Sequence, residues 1–74
     1  MTLRGKRDSW VLGLPLPNVT LAYNSQVEIV GGPHSGKRGW LVALVLGDDP
    51  LYTVELASGG GDVDVPQSFL RSTA

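Results

Sequence analysis

Cysteine is absent from these 74 residues, and histidine occurs once. The first absence excludes disulfide staples and thiolate metal sites. With a single imidazole, it also leaves no donor set for a conventional zinc or transition-metal centre. Long apolar runs are missing as well. The longest, Trp40 to Leu46, falls far short of the ~20 residues that a membrane-spanning helix needs. The N-terminal stretch has no continuous apolar segment of the secretory-leader kind. The expectation is a soluble, cytoplasmic protein with no cofactor and no membrane partner. An excess of charge is lacking too. Six Lys and Arg against seven Asp and Glu give a formal net charge of −1, which argues against coating nucleic acid by bulk electrostatics. At this length the chain is one domain, and without staples its stability must come from packing, extended if necessary by self-association.

What the chain does have is glycine, concentrated between two apolar runs. In Val27 to Leu46, VEIVGGPHSGKRGWLVALVL, Val27 and Ile29 share one face of an extended backbone and Glu28 takes the other. Gly31, Gly32, Pro33, Gly36 and Gly39 follow within nine residues, a density that marks positive φ or close chain approach. The chain then turns apolar from Trp40 to Leu46. Strict alternation puts Leu41, Ala43 and Val45 on one side and Trp40, Val42, Leu44 and Leu46 on the other. A strand apolar on both faces needs covering twice, by another part of the chain or by another chain.

Around this hairpin the remaining segments read as short strands and turns. Residues 1–9 are polar and charged, and are expected to form a mobile tail. Residues 10–74 are expected to form the domain proper, beginning with an extended arm over 10–17, because Pro15 and Pro17 exclude a helix interior or a central strand there. Val19 to Tyr23 is a candidate strand, and Asn24-Ser25 a turn. Gly47-Asp48-Asp49-Pro50 is a strong turn signal. Leu51 to Leu56 places Tyr52, Val54 and Leu56 on one face. Asp62 to Val65 points its valines inward and its aspartates outward. Residues 66–70 have the length of one 3₁₀ turn, with Phe69 or Leu70 plugging one end. Five short strands with glycine-rich turns and no helical period indicate a small all-β barrel.

Few residues carry a chemical signal. Gly31-x-x-x-x-Gly36-Lys37 approaches a phosphate-binding loop, but Arg38 stands where Ser or Thr is required, and a strand follows where a helix N-terminus should face the phosphates. His34 has no identifiable acid partner, and Ser35 lacks a triad context. Asp62 and Asp64 share a strand face, far from the six to eight oxygen ligands of a calcium site. No catalytic group is assigned, and the chain is read as a non-enzyme.

The spacing Val27-x-Ile29-x-x-Gly32-x-x-x-Gly36-x-x-Gly39-x-Leu41 resembles the KOW motif, found in a large-subunit ribosomal protein family and in NusG-type transcription elongation factors. The resemblance covers about twenty residues and implies an SH3-like barrel whose glycine loop contacts RNA, DNA or another protein. Carried onto this chain, it implies that Lys37 and Arg38 meet phosphates while His34 or Trp40 stacks on a base or packs against a partner. The family usually has a charged or polar residue where Trp40 stands, and this departure favours protein contact. The expected partners are therefore RNA or DNA, a protein, or further copies of this chain through the arm and the face around Trp40. A fainter similarity of layout links Asn18-Val19-Thr20-Leu21, Tyr52-Thr53-Val54-Glu55, Pro66 and Leu70 to type II dihydrofolate reductases, small SH3-like chains that build one pore from four copies. The position of that family's essential lysine falls near Ile29, and Val63-Asp64-Val65 replaces its Gln-Ile-Tyr strand, so reductase activity is not expected.

Overall fold

A computed structural model of the protein describes residues 9–73. Five strands, β1 (Gln26–Ile29), β2 (Arg38–Val45), β3 (Leu51–Leu56), β4 (Asp62–Pro66) and β5 (Leu70–Ser72), form one antiparallel sheet in the order β4-β3-β2-β1-β5. The protein is a small all-β domain. Its edge strands β4 and β5 are consecutive in the chain and joined only by the 3₁₀ turn Gln67–Phe69. Four residue steps from Pro66 to Leu70, at a 3₁₀ rise of about 2 Å, advance about 8 Å. Five flat strands would hold the two edges about 19 Å apart. The sheet therefore curls, and the curl encloses the core.

That core is Trp10, Val27, Ile29, Leu41, Tyr52, Val54, Leu56 and Val65, with Leu16, Val19, Leu21, Leu44, Val63 and Leu70 packed against it. The inward faces of β1, β3 and β4 are those that alternation predicts. In β2 the alternation breaks. Leu41 lies opposite Val54 and Ala43 opposite Thr53, so Val42 is an extra residue, a β-bulge that reverses which side faces inward. Leu41 before the bulge and Leu44 after it both meet the core, while Val45 is 62 % exposed. The expected grouping of Leu41, Ala43 and Val45 on one face is thus corrected by one inserted residue.

Residues 9–11 form a helical turn. Gly13, at φ 81°, stops it: its N–H donates to the Trp10 carbonyl (3.0 Å) and the Leu14 N–H donates to the Ser9 carbonyl (2.9 Å), the paired bonds of a Schellman ending. The arm expected to run extended from Trp10 therefore starts as a turn of helix. Its two prolines lie beyond the glycine, where helix geometry is no longer required. The mobile-tail expectation falls on residues 1–8, outside the described residues, and on Ser9, which belongs to this turn. Trp10 is 2 % exposed; it meets Tyr23 edge-on at 5.5 Å and Tyr52 at 5.9 Å, and its Nε1–H donates to the Leu21 carbonyl at 2.9 Å.

Val19 to Tyr23, a candidate strand by its alternation, forms none. Its backbone is held instead by Gln67. The Gln67 amide oxygen accepts from the Thr20 N–H (3.0 Å) and the Tyr52 hydroxyl (2.5 Å), and its amide nitrogen donates to the Asn18 carbonyl (2.8 Å). The Gln67 N–H donates to the Pro50 carbonyl (2.8 Å), so its side chain ties the 3₁₀ turn to residues 18–20 and to Tyr52 while its backbone holds Pro50. Burial is the main cause that raises the Tyr52 hydroxyl above its ordinary pKa; the backbone at Leu21 and Thr20 pulls the other way and the Asp49 charge adds to the rise. Among the described residues no helix is long and apolar enough to cross a membrane.

Candidate binding face around the glycine loop

The loop between β1 and β2 is closed at its mouth by two backbone bonds, Gly36 N–H to the Ile29 carbonyl (2.7 Å) and Ile29 N–H to the Lys37 carbonyl (2.8 Å). Its glycines do separate jobs. Gly32 and Gly36 have φ of 77° and 94°, a region L side chains resist. Gly31 and Gly32 also lie under the Phe69 ring, where an added Cβ would come within 3.0 Å and 3.1 Å of it. The Val30 N–H donates to the Phe69 carbonyl (2.8 Å), so the 3₁₀ turn both covers and anchors the loop. Phe69 is therefore a lid on the glycines, 39 % exposed, and Leu70 is the residue that packs on the core. Gly39 has a different reason. A Cβ there would stand 2.1 Å from the Glu55 carbonyl oxygen, so the close approach of β2 to β3 needs a bare backbone.

The four residues singled out by sequence are not equivalent. Arg38 is exposed and opens β2, and Trp40, two residues on along the same strand, is half-buried; both line an open cleft of about 150 Å³ with Gln26, Val27, Gly39, Ala57 and Thr73. Lys37 is exposed beside this cleft in the chain but does not line it. His34 is half-buried in the loop and does not line the cleft. Its Nδ1 is buried with no hydrogen-bond partner, while its carbonyl accepts from the Lys37 N–H at 3.1 Å.

Strand pairing adds a residue that sequence spacing did not place here. On the outer face Glu28 of β1 lies between Arg38 of β2 and Arg71 of β5. Arg71 forms an ion pair with Glu28. It is the ion pair seen among the described residues; Lys37 and Arg38 form none among them, with Glu28 across the strand from Arg38. The next row carries Gln26, Trp40, Glu55 and Asp62. The face is therefore basic at the loop end and acidic toward β3 and β4, with Trp40 between. Among the described residues no three or more His, Asp or Glu side chains gather where a metal ion could be held.

No protein-family model, curated protein or solved structure matches this chain.

Proposed function

We propose that the protein is a non-enzymatic, KOW-like module with an SH3-like barrel, and that it holds single-stranded nucleic acid at the face formed by the glycine loop and the start of β2. The strand order, the edge-to-edge 3₁₀ turn and the curl that this turn demands support the barrel reading. One observation carries the functional reading: Arg38 and Trp40 line the same cleft, and among the described residues neither Arg38 nor its neighbour Lys37 forms a salt bridge. A guanidinium beside an indole offers one group for a phosphate and one for the face of a base. Unstacked bases are what a ring in a shallow cleft can reach, which favours single strands over duplexes.

With these two cations the binding is weak and salt-dependent, with a slope of log K on log salt of about −1.4 for a single strand. The test is an anisotropy titration of a labelled single-stranded oligonucleotide at two salt concentrations. Lys37→Ala together with Arg38→Ala should weaken binding and remove most of that slope. No binding by the parent protein at low salt, or equal affinity and slope in the double variant, defeats the proposal. Protein contact is the second reading, supported by Leu12 at 74 % and Leu14 at 54 % exposed on the arm.

A further inference from the structure

The bulge at Val42 gives the outer side of β2 an order that strict alternation does not. Arg38 and Trp40 point outward before it, Ala43 and Val45 after it, opposite Thr53 and Leu51 of β3. Leu51 in turn lies opposite Pro66 of β4. Read along the strand, the outer side runs from the Arg38 cation through an apolar strip of Trp40, Ala43 and Val45 to the following turn, where Asp48 is exposed. Val45 and its neighbour Leu51 are 62 % and 37 % exposed. Asp49 is engaged by the Ser68 N–H and hydroxyl, and Asp48 is exposed and free of any such contact.

A sequence of charge, apolar strip and opposite charge is self-complementary when reversed. We infer that the outer side of β2 docks against a second copy of the same chain around a two-fold axis that crosses the strand near its bulge, with the two β2 strands antiparallel. In that arrangement Arg38 of each copy meets Asp48 of the other, Trp40 covers the other copy's Val45, and Ala43 lies near the axis. Eight residues of β2 span about 24 Å, most of one side of a molecule measuring 33 × 22 × 22 Å. A closed, isologous pair of this kind is the commonest symmetric assembly. It also supplies the second cover that a strand apolar on both faces calls for. Because the dimer and nucleic acid would both use Arg38 and Trp40, they exclude one another.

Sedimentation over roughly 1 µM to 1 mM, the range in which weak contacts dissociate, tests the dimer with no nucleic acid present, so its failure and that of the nucleic-acid reading are separate results. The parent protein should sediment as a monomer–dimer equilibrium, and Val45→Asp, on an exposed position outside the cleft, should raise the dimer Kd roughly tenfold or more. Arg38→Asp alone and Asp48→Arg alone should each be monomeric, since each juxtaposes like charges. Mixed one to one, they should form a heterodimer, and the two changes in one chain should restore the homodimer. A parent that stays monomeric throughout the range overturns the inference. So does a dimer unaffected by Val45→Asp, a mixture that fails to associate, or open-ended assembly in place of a closed pair.

Discussion

Replacing Gly39 by alanine tests whether the hairpin is built as described. The added Cβ would lie 2.1 Å from the Glu55 carbonyl oxygen and 2.8 Å from Val54 Cγ1. A carbon and a carbonyl oxygen rest in contact at about 3.3 Å or more, so β3 must retreat by about 1.2 Å or β2 must tilt. The atom in the way is backbone and cannot swing aside. Retreat would loosen the Gly39–Leu56 and Trp40–Glu55 pairings and open the core between Val54 and Leu41. Overpacking typically costs 1–3 kcal/mol, and a backbone obstacle places this case at about 3 kcal/mol. For a domain of this size that lowers Tm by about 12 °C or more. Gly47→Ala is the control: its Cβ meets nothing within 4 Å and its φ is not positive. That change should be neutral or stabilising by up to about 1 kcal/mol through the unfolded chain. Urea unfolding of both variants against the parent reads the difference directly. If Gly39→Ala loses less than about 0.5 kcal/mol, the ordinary range for an innocuous surface change, the close strand approach is wrong.

Other consequences follow from the hydrogen bonds around Tyr52 and Trp10. Gln67→Ala removes the acceptor of the part-buried Tyr52 hydroxyl, while the exposed Thr20 N–H and Asn18 carbonyl pass to water, and should cost about 1–3 kcal/mol in urea unfolding; Tyr52→Phe leaves the Gln67 oxygen still bound by Thr20 and should cost only about 1 kcal/mol. Because the folded-state pKa of Tyr52 is raised, its neutral form is favoured by folding. That contribution is fully present below about pH 10 and declines as pH rises through the folded-state value. A pH series of unfolding curves should show this alkaline loss in the parent, and it should be smaller in Tyr52→Phe. Trp10→Ala removes a side chain 2 % exposed and its Nε1 hydrogen bond, a loss of about 3–5 kcal/mol that should leave the chain largely unfolded by circular dichroism.

Most of the sheet is legible in the residues. Alternation in Val27–Ile29, Leu51–Leu56 and Asp62–Val65 identifies the inward faces because each of these strands has one buried side. The 3₁₀ turn is also legible from its length after Pro66. Val19 to Tyr23 misleads because its apolar residues pack from an irregular segment whose Thr20 N–H is met by the Gln67 side chain and whose Leu21 carbonyl by the Trp10 indole, long-range partners no local pattern reveals. Leu70–Ser72 is missed for the opposite reason: three residues carry too little alternation to stand out, and the strand exists because β1 offers it an edge. The bulge at Val42 has no composition cue, since every residue from Leu41 to Leu46 is apolar and either phase of the alternation fits.

The candidate site divides in the same way. Lys37, Arg38 and Trp40 stand together in sequence and are legible as a group, but only Arg38 and Trp40 line the cleft, and Lys37 and His34 do not. Arg71 joins them only through the pairing of β5 with β1, and Glu28, which neutralises it, is visible from sequence only as the outward residue of a strand. Thr73 and Ala57 reach the cleft from distant connections. Contacts set by strand order across the sheet are not encoded in spacing along the chain.

Backbone amide chemical-shift mapping reads directly where nucleic acid meets this face. Titrating a single-stranded oligonucleotide at low salt and low protein concentration should move the amides of Lys37, Arg38, Gly39 and Trp40, with Gln26, Ala57 and Thr73 around the cleft, and the Trp40 indole N–H. The amides of Val45, Leu51 and Asp64 should stay in place. Shifts centred on the arm or on the β3–β4 edge, or no shifts at all, would contradict the account.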